Sequence, residues 1–229
     1  MLEPVTGLHR GYQDPLGRRV THRIEMPVTP ETTASTDATA TATDSIDWFE
    51  LQKRAHTEFG SRVDAIEDWT APTPDTEWTV SDLVRHVIIE QQWIPPLLAG
   101  LSIAEARRRV APLGDDLAAE WRTHSRLATE AWASAPVDAS VQLSYDTVTV
   151  IDYLREQVSD VTIHSWDLAR AIEADEELSA TLVEAVWTVF EPQRDALEAS
   201  GLFQSPVPLA DDAPLQSRLL ALTGRDDRR

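Results

Sequence analysis

Long runs of apolar residues at helical spacing, joined by modest loops, constrain this chain more than any other feature. From 46 to about 66, Trp48, Leu51, Ala55, Phe59 and Val63 fall on one stripe. A second run opens near Ser81, read as an N-cap or first-turn residue, and reaches about Ala99, with Gly100 as a stop. Pro95 and Pro96 should kink that helix or end its regular part, because proline lacks the N–H and clashes with the preceding turn. A short helix is expected over 102–110. A long one is expected over 115–133, carrying Leu117, Trp121, Leu127, Ala131 and Trp132. Val141, Leu143 and Tyr145 alternate as in a short strand or an extended loop. Further long helices are expected over 150–173 and 179–199, with a capping turn over 215–222. The fold class is therefore all-α, a helical bundle with an additional C-terminal helix. There is no internal repeat, and the absence of a glycine-rich phosphate loop weighs against nucleotide chemistry.

The 229 residues suffice for one hydrophobic core. Residues 1–45 read as a disordered leader, because 28–45 is mostly Thr, Ala, Ser and Asp without an aromatic. Met26 is a candidate start codon. Residues 46–229 are expected to form one bundle domain. No apolar run approaches the roughly 20 residues that cross a bilayer, and no apolar stretch follows the N-terminal arginines, so the expected location is cytoplasmic. The net charge of −19 repels phosphate backbones and anionic lipid surfaces, which argues against nucleic acid and membrane partners. A small-molecule substrate is expected instead. There are no cysteines, so disulfides, thiolate metal sites and cysteine nucleophiles are excluded. Any metal must be held by His, Asp or Glu, and any reactive thiol must come from outside.

The six histidines are not equivalent. His9 and His22 lie in the leader. His56 and His124 sit in polar stretches and read as exposed side chains. Asp160 and His164 are four apart in a strong helical pattern, so both leave one face of the helix, one turn apart. Such a pair is a two-point clamp for a divalent ion, or simply a surface pair worth a few tenths of a kcal/mol. His86 lies on or beside a buried stripe with Leu83, Val87, Ile94 and Leu97, where it needs a hydrogen-bond partner or a metal. Glu90, one turn on, could satisfy it or join the site.

The runs at 78–86 (Trp78, Thr79, Val80, Ser81, Asp82, Leu83, Val84, Arg85, His86) and 164–171 (His164, Ser165, Trp166, Asp167, Leu168, Ala169, Arg170, Ala171) carry a family resemblance. The ending, with Ala213, Pro214, Leu219, Leu220, Ala221, Gly224 and Arg225, carries it too. Over about 46–226 the chain resembles the DinB-like superfamily, in particular metal-binding proteins related to mycothiol-dependent maleylpyruvate isomerase. The resemblance implies a four-helix bundle with a metal site at one end, whose ligands here would be His86, Asp160 and His164. The chain departs from the isomerase in carrying Asp where the paired carboxylate is Glu. It is also short beyond His164 for the isomerase's extra C-terminal domain.

Two imidazoles and a carboxylate leave a coordination position open, the ligand set of a catalytic zinc; iron(II) and nickel also suit it. An open zinc can acidify a bound water or hold an external thiol as thiolate. The resemblance favours the second, with mycothiol or another low-molecular-weight thiol. Glu90 is assigned as proton acceptor or extra ligand, with a solvated surface acid as the alternative. Asp167 and Arg170 could orient His164, meet an anionic substrate, or form a local salt bridge. Trp78, Trp93 and Trp166 are read as pocket walls or plain core, and Trp166 and Arg170 are taken as the cofactor contacts. The function expected is a metal-dependent thiol transferase or isomerase acting on a small electrophile. The alternatives are a non-catalytic binding bundle and a metal-activated hydrolase. An apolar face on the 179–199 helix would allow a homodimer.

Overall fold

A computed structural model describes residues 46–74, 77–144, 146–200, 204–210 and 212–228, with two short strands, Tyr12–Gln13 (β1) and Arg19–Val20 (β2), that pair antiparallel. Apart from that pair, the leader expected over 1–45, with His9 and His22, lies outside the described residues. The bundle is built from α1 (Trp48–Asp64), α2 (Val80–Leu98), α4 (Leu117–Ser134) and α5 (Val150–Ala171), with a short α3 (Ile103–Arg107) between α2 and α4. Helix α1 packs on α5 and α4, and α2 packs on the same two from the other side. A small antiparallel hairpin, β3 (Ser140–Gln142) and β4 (Thr147–Thr149), leads directly into α5. The architecture is all-α, as the spacing requires.

Local chemistry sets where each helix begins. Asp47 caps α1 by accepting from the Phe49 and Glu50 N–H groups. Thr79 and Asp82 form a reciprocal capping box at α2, as Ser102 and Glu105 do at α3. Ser81 is thus a first-turn residue and Thr79 the cap. Asp116 and Thr149 cap α4 and α5. Gly100 ends α2 with φ of 77°; its N–H donates to Leu97 O and the Leu101 N–H to Pro96 O, the paired bonds of a Schellman turn.

One expectation is met and one needs correction. Helix α2 runs through Pro95 and Pro96 to Leu98, close to its expected end at Ala99. They fall in its last turn, where only the two amide bonds they cannot donate are lost. The long helix expected over 179–199 is broken into α6 (Ala180–Phe190), a 3-10 turn (Glu191–Gln193) and α7 (Arg194–Ser200). Pro192 sits in that turn and cannot supply the N–H that would continue α6. Helix α8 (Leu215–Leu222) then packs on α6, burying Leu219, Leu220 and Ala221. The apolar side of α6, with Leu182, Val183, Val186 and Phe190 buried, is therefore covered within the chain.

Helix α5 is the spine. Every residue from Glu156 to Ala169 is buried, although the stretch includes Glu156, Gln157, Asp160, His164 and Asp167. Ionisable groups this far from water persist only when paired or bound to a metal. Leu154, Ile163 and Leu168 on the same helix are fully buried, each adding about 1.5–3 kcal/mol of apolar stabilisation that offsets such burial.

Candidate metal centre

The cluster forms where the first half of α2 crosses the middle of α5. His86 Nε2 lies 3.9 Å from Asp160 Oδ2, and His164 Nε2 lies 3.4 Å from Asp160 Oδ1. One donor atom from each of the three residues lies within 4.8 Å of the other two. A tetrahedral zinc with bonds near 2.0–2.1 Å sets its ligand atoms roughly 3.3 Å apart, so the donors would have to draw together to bind one. The donors are hard oxygen and borderline nitrogen, which fits zinc or iron(II). His86 is 7%, Asp160 9% and His164 3% exposed, which separates this arrangement from a solvated surface pair. The structure thus brings all three expected ligands together.

The ring of Trp78 covers the cluster, 4.9 Å from the centre of His86 and 5.9 Å from that of His164, stacked on the latter at 30°. The loop before α2 fixes that ring. Thr73 N–H donates to the Trp78 carbonyl and Val80 N–H to the Ala71 carbonyl. The sequence read Trp78 as a pocket wall or plain core; its seat against both imidazoles was not legible there.

Behind the cluster, His164 Nδ1 pairs with Asp167 Oδ2 at 3.1 Å. This leaves Nε2, which faces Asp160, as the nitrogen that could take a cation, the carboxylate–histidine arrangement common behind metal ligands. Asp167 is 0% exposed, and Arg225 grips it in a fork, Nε to Oδ1 at 2.9 Å and Nη2 to Oδ2 at 2.6 Å. Burial opposes the charged form of His164, but the Asp160 carboxylate and the Asp167 hydrogen bond outweigh it and push the imidazole up to about 9. Burial likewise opposes the Asp167 carboxylate, yet Arg225 and His164 hold it down at about 2. Arg225 was missed in sequence as a functional residue. The Gly-Arg pair closing the last helix was its one signal.

Glu90 is half-buried one turn beyond His86 on α2. Together with Glu156 and Asp160 it acts on the buried Tyr153 phenol, which burial first and then these carboxylates push well above its ordinary value. Glu156 and Tyr153 were not singled out by sequence; both follow the α5 face of Asp160, one and two turns earlier. Trp93 is buried at 9%. Trp166 is 1% exposed, with the Arg170 guanidinium 4.6 Å from its ring centre. Arg170 also forks onto Glu176, with both bonds at 2.6 Å, and reaches the carbonyls of Asp226 and Asp227. Asp167, of the two residues read as possible orienters of His164, is the one that does so.

Two other histidines fall elsewhere. His124 pairs with Glu120 at 3.1 Å on α4. His56 is not an exposed side chain, contrary to expectation. Gln52 Nε2 lies 2.9 Å from its Nδ1, Trp121 meets it edge-on at 5.1 Å, and burial pushes it down to about 4. Its neighbours in sequence are polar, but α4 covers it.

Residues 49–169 match the family described as Mycothiol maleylpyruvate isomerase N-terminal domain. The chain belongs to that family. It therefore lies in the DinB-like superfamily, and the likeness read from 78–86 and 164–171 holds at family level. Two curated proteins of Mycobacterium tuberculosis, both described as uncharacterized, are 28% identical to it over 149 residues, covering 62% of this chain and 74% of each relative. No solved structure gives a significant match. The family match includes His86, Asp160, His164 and Asp167 but stops short of Arg225.

Proposed function

We propose that this family member is a metal-dependent enzyme of the mycothiol type, a thiol transferase or isomerase acting on a small electrophile. The observation that carries the reading is the convergence of His86, Asp160 and His164, three donors in one buried cluster, one fewer than the four that close a structural zinc site. Zinc suits this set best, and iron(II) or nickel can replace it. When bound, the metal would lower the pKa of a thiol or water at its open position and polarise the electrophile.

The chain's own residues take separate roles. Asp167 holds the proton on His164 Nδ1, so that Nε2 presents its lone pair to the cluster. Trp78 shields both imidazoles from water. Glu90 accepts the proton released by the incoming thiol. Arg170, over the Trp166 ring, is assigned to the anionic groups of the cofactor and would exchange its fork on Glu176 for them. No helix among the described residues is long and apolar enough to cross a membrane, and we take the cytoplasm as the setting.

Metal analysis of tag-free protein tests the reading. About one equivalent is expected, falling at least tenfold in His164→Ala. Cobalt-substituted protein titrated with mycothiol should develop a thiolate charge-transfer band. No stoichiometric metal, or unchanged metal in the variant, would overturn the proposal. Ester cleavage without thiol would move the chain to the water-activating hydrolases. Bound metal with no thiol band and no turnover would make it a binding bundle.

A further inference from the structure

We infer that the C-terminal segment, residues 215–228, is thermodynamically part of the metal centre, with Arg225 as its positioning residue. The inference rests on the metal reading above and concerns residues beyond the matched region. Three observations carry it. Asp167 is wholly buried, and its two oxygens are shared between the His164 ring and the forked guanidinium of Arg225. Arg225 is itself set by the end of α8. Gly224 adopts φ of 77° and donates to Ala221 O, the Arg225 N–H donates to Leu220 O, and Arg225 Nη1 returns to the Thr223 carbonyl. The tail is fastened a second time, by Arg170 of α5 reaching the carbonyls of Asp226 and Asp227.

The physical consequence follows from the asymmetry of a buried charge pair. Removing one partner leaves the other uncompensated in a medium that cannot solvate it. Without Arg225, the Asp167 carboxylate must take up a proton, recruit water or turn away. Each response loosens the bond that fixes the ring of His164. Loss of an outer partner of this kind weakens metal binding by roughly 10–100-fold. A residue 58 positions from Asp167 in the chain thus governs the site without touching the cation. Gly224 belongs to the same device, since a Cβ there would stand 2.5 Å from the Gln204 Cβ and force the turn apart.

The test measures zinc affinity by chelator competition, and the cobalt absorption spectrum, in wild type, Arg225→Gln and Arg225→Lys, with circular dichroism as the check of folding. Arg225→Gln should bind zinc at least tenfold more weakly with altered cobalt bands. Arg225→Lys, which keeps the charge but not the fork, should fall between it and wild type. Affinities of both variants within twofold of wild type would overturn the inference. If Arg225→Gln loses its helical signal, the comparison of Arg225→Lys with wild type decides alone. A wild type that binds no metal would sink the proposed function but not this coupling. It is then read by NMR on metal-free protein, as a low-field His164 Nδ1 proton shifted or lost in Arg225→Lys. An unchanged proton would overturn it.

Discussion

Two histidine clusters sit between helices of the same bundle and behave in opposite ways. On the α2–α5 side, His164 is flanked by Asp160 and Asp167 and is pushed up to about 9. On the α1–α4 side, His56 has Gln52, Thr129 and Trp121 around it, and burial pushes it down to about 4. Burial acts in the same direction on both. What differs is the charge of the partners: carboxylates hold a proton, or a metal in its place, whereas an amide, a hydroxyl and an indole keep the ring neutral. Anions in its pocket are what set His164, and not His56, apart as a ligand candidate here.

Exchanging the partners should break the contrast. Asp160→Asn removes the main anion beside His164 and one of the proposed ligands at once. Its imidazole should fall by more than about one pKa unit, and zinc affinity should drop at least tenfold. Gln52→Glu should lift His56 by roughly one to two units without creating a metal site. Histidine titrations followed by NMR read both. A His164 that stays near its wild-type value in Asp160→Asn would remove the basis of the comparison.

The two clusters should also shape stability against pH from opposite sides. His164 is raised in the fold, so its contribution is complete below the unfolded value near 6.5 and is lost as pH rises through about 9. His56 is lowered, so its contribution is complete above 6.5 and is lost as pH falls through about 4. Each arm is worth at most roughly 3 kcal/mol, and the His56 arm less because that side chain is partly exposed. Denaturant midpoints of metal-free protein should peak near neutrality. Zinc should flatten the alkaline arm, because the metal replaces the proton on Nε2. An alkaline arm that persists unchanged in His164→Gln would assign it to another group.

The smallest effect serves as a control outside both clusters. Glu173 ends α5 with φ of 55°, and the Ala174 N–H donates to the Ala169 carbonyl in the same Schellman pattern that glycine serves at Gly100 and Gly224. Glu173→Gly relieves the left-handed strain at some cost in chain entropy, for a net gain of about 0.5–1 kcal/mol. Thermal melting should rise by about 1–3 °C while both histidine titrations stay in place. A lower melting temperature would show that the Glu173 side chain stabilises the fold by more than its strained backbone costs.

The bundle's helices were legible because apolar spacing, caps and stop residues act over a few residues. Trp48, Leu51, Ala55, Phe59 and Val63 mark the buried side of α1, and all five are buried. The break at Pro192 was equally local and went unread, since strong apolar spacing on both sides masked one missing N–H. His56 was misjudged for a different reason. Its sequence neighbours are polar, and nothing in them records that Trp121 and Thr129 of α4 close over it.

By itself the sequence determined that Asp160, His164 and Asp167 share one side of a helix, because the 3.6-residue turn fixes their angles whatever surrounds them. Only tertiary packing decided that His86 meets them from α2 and that Arg225 arrives from the far end of the chain. Helical periodicity sets a side chain's bearing about its own axis. Which group stands opposite it depends on how separate helices dock, and that is written in the shapes of all their buried faces together.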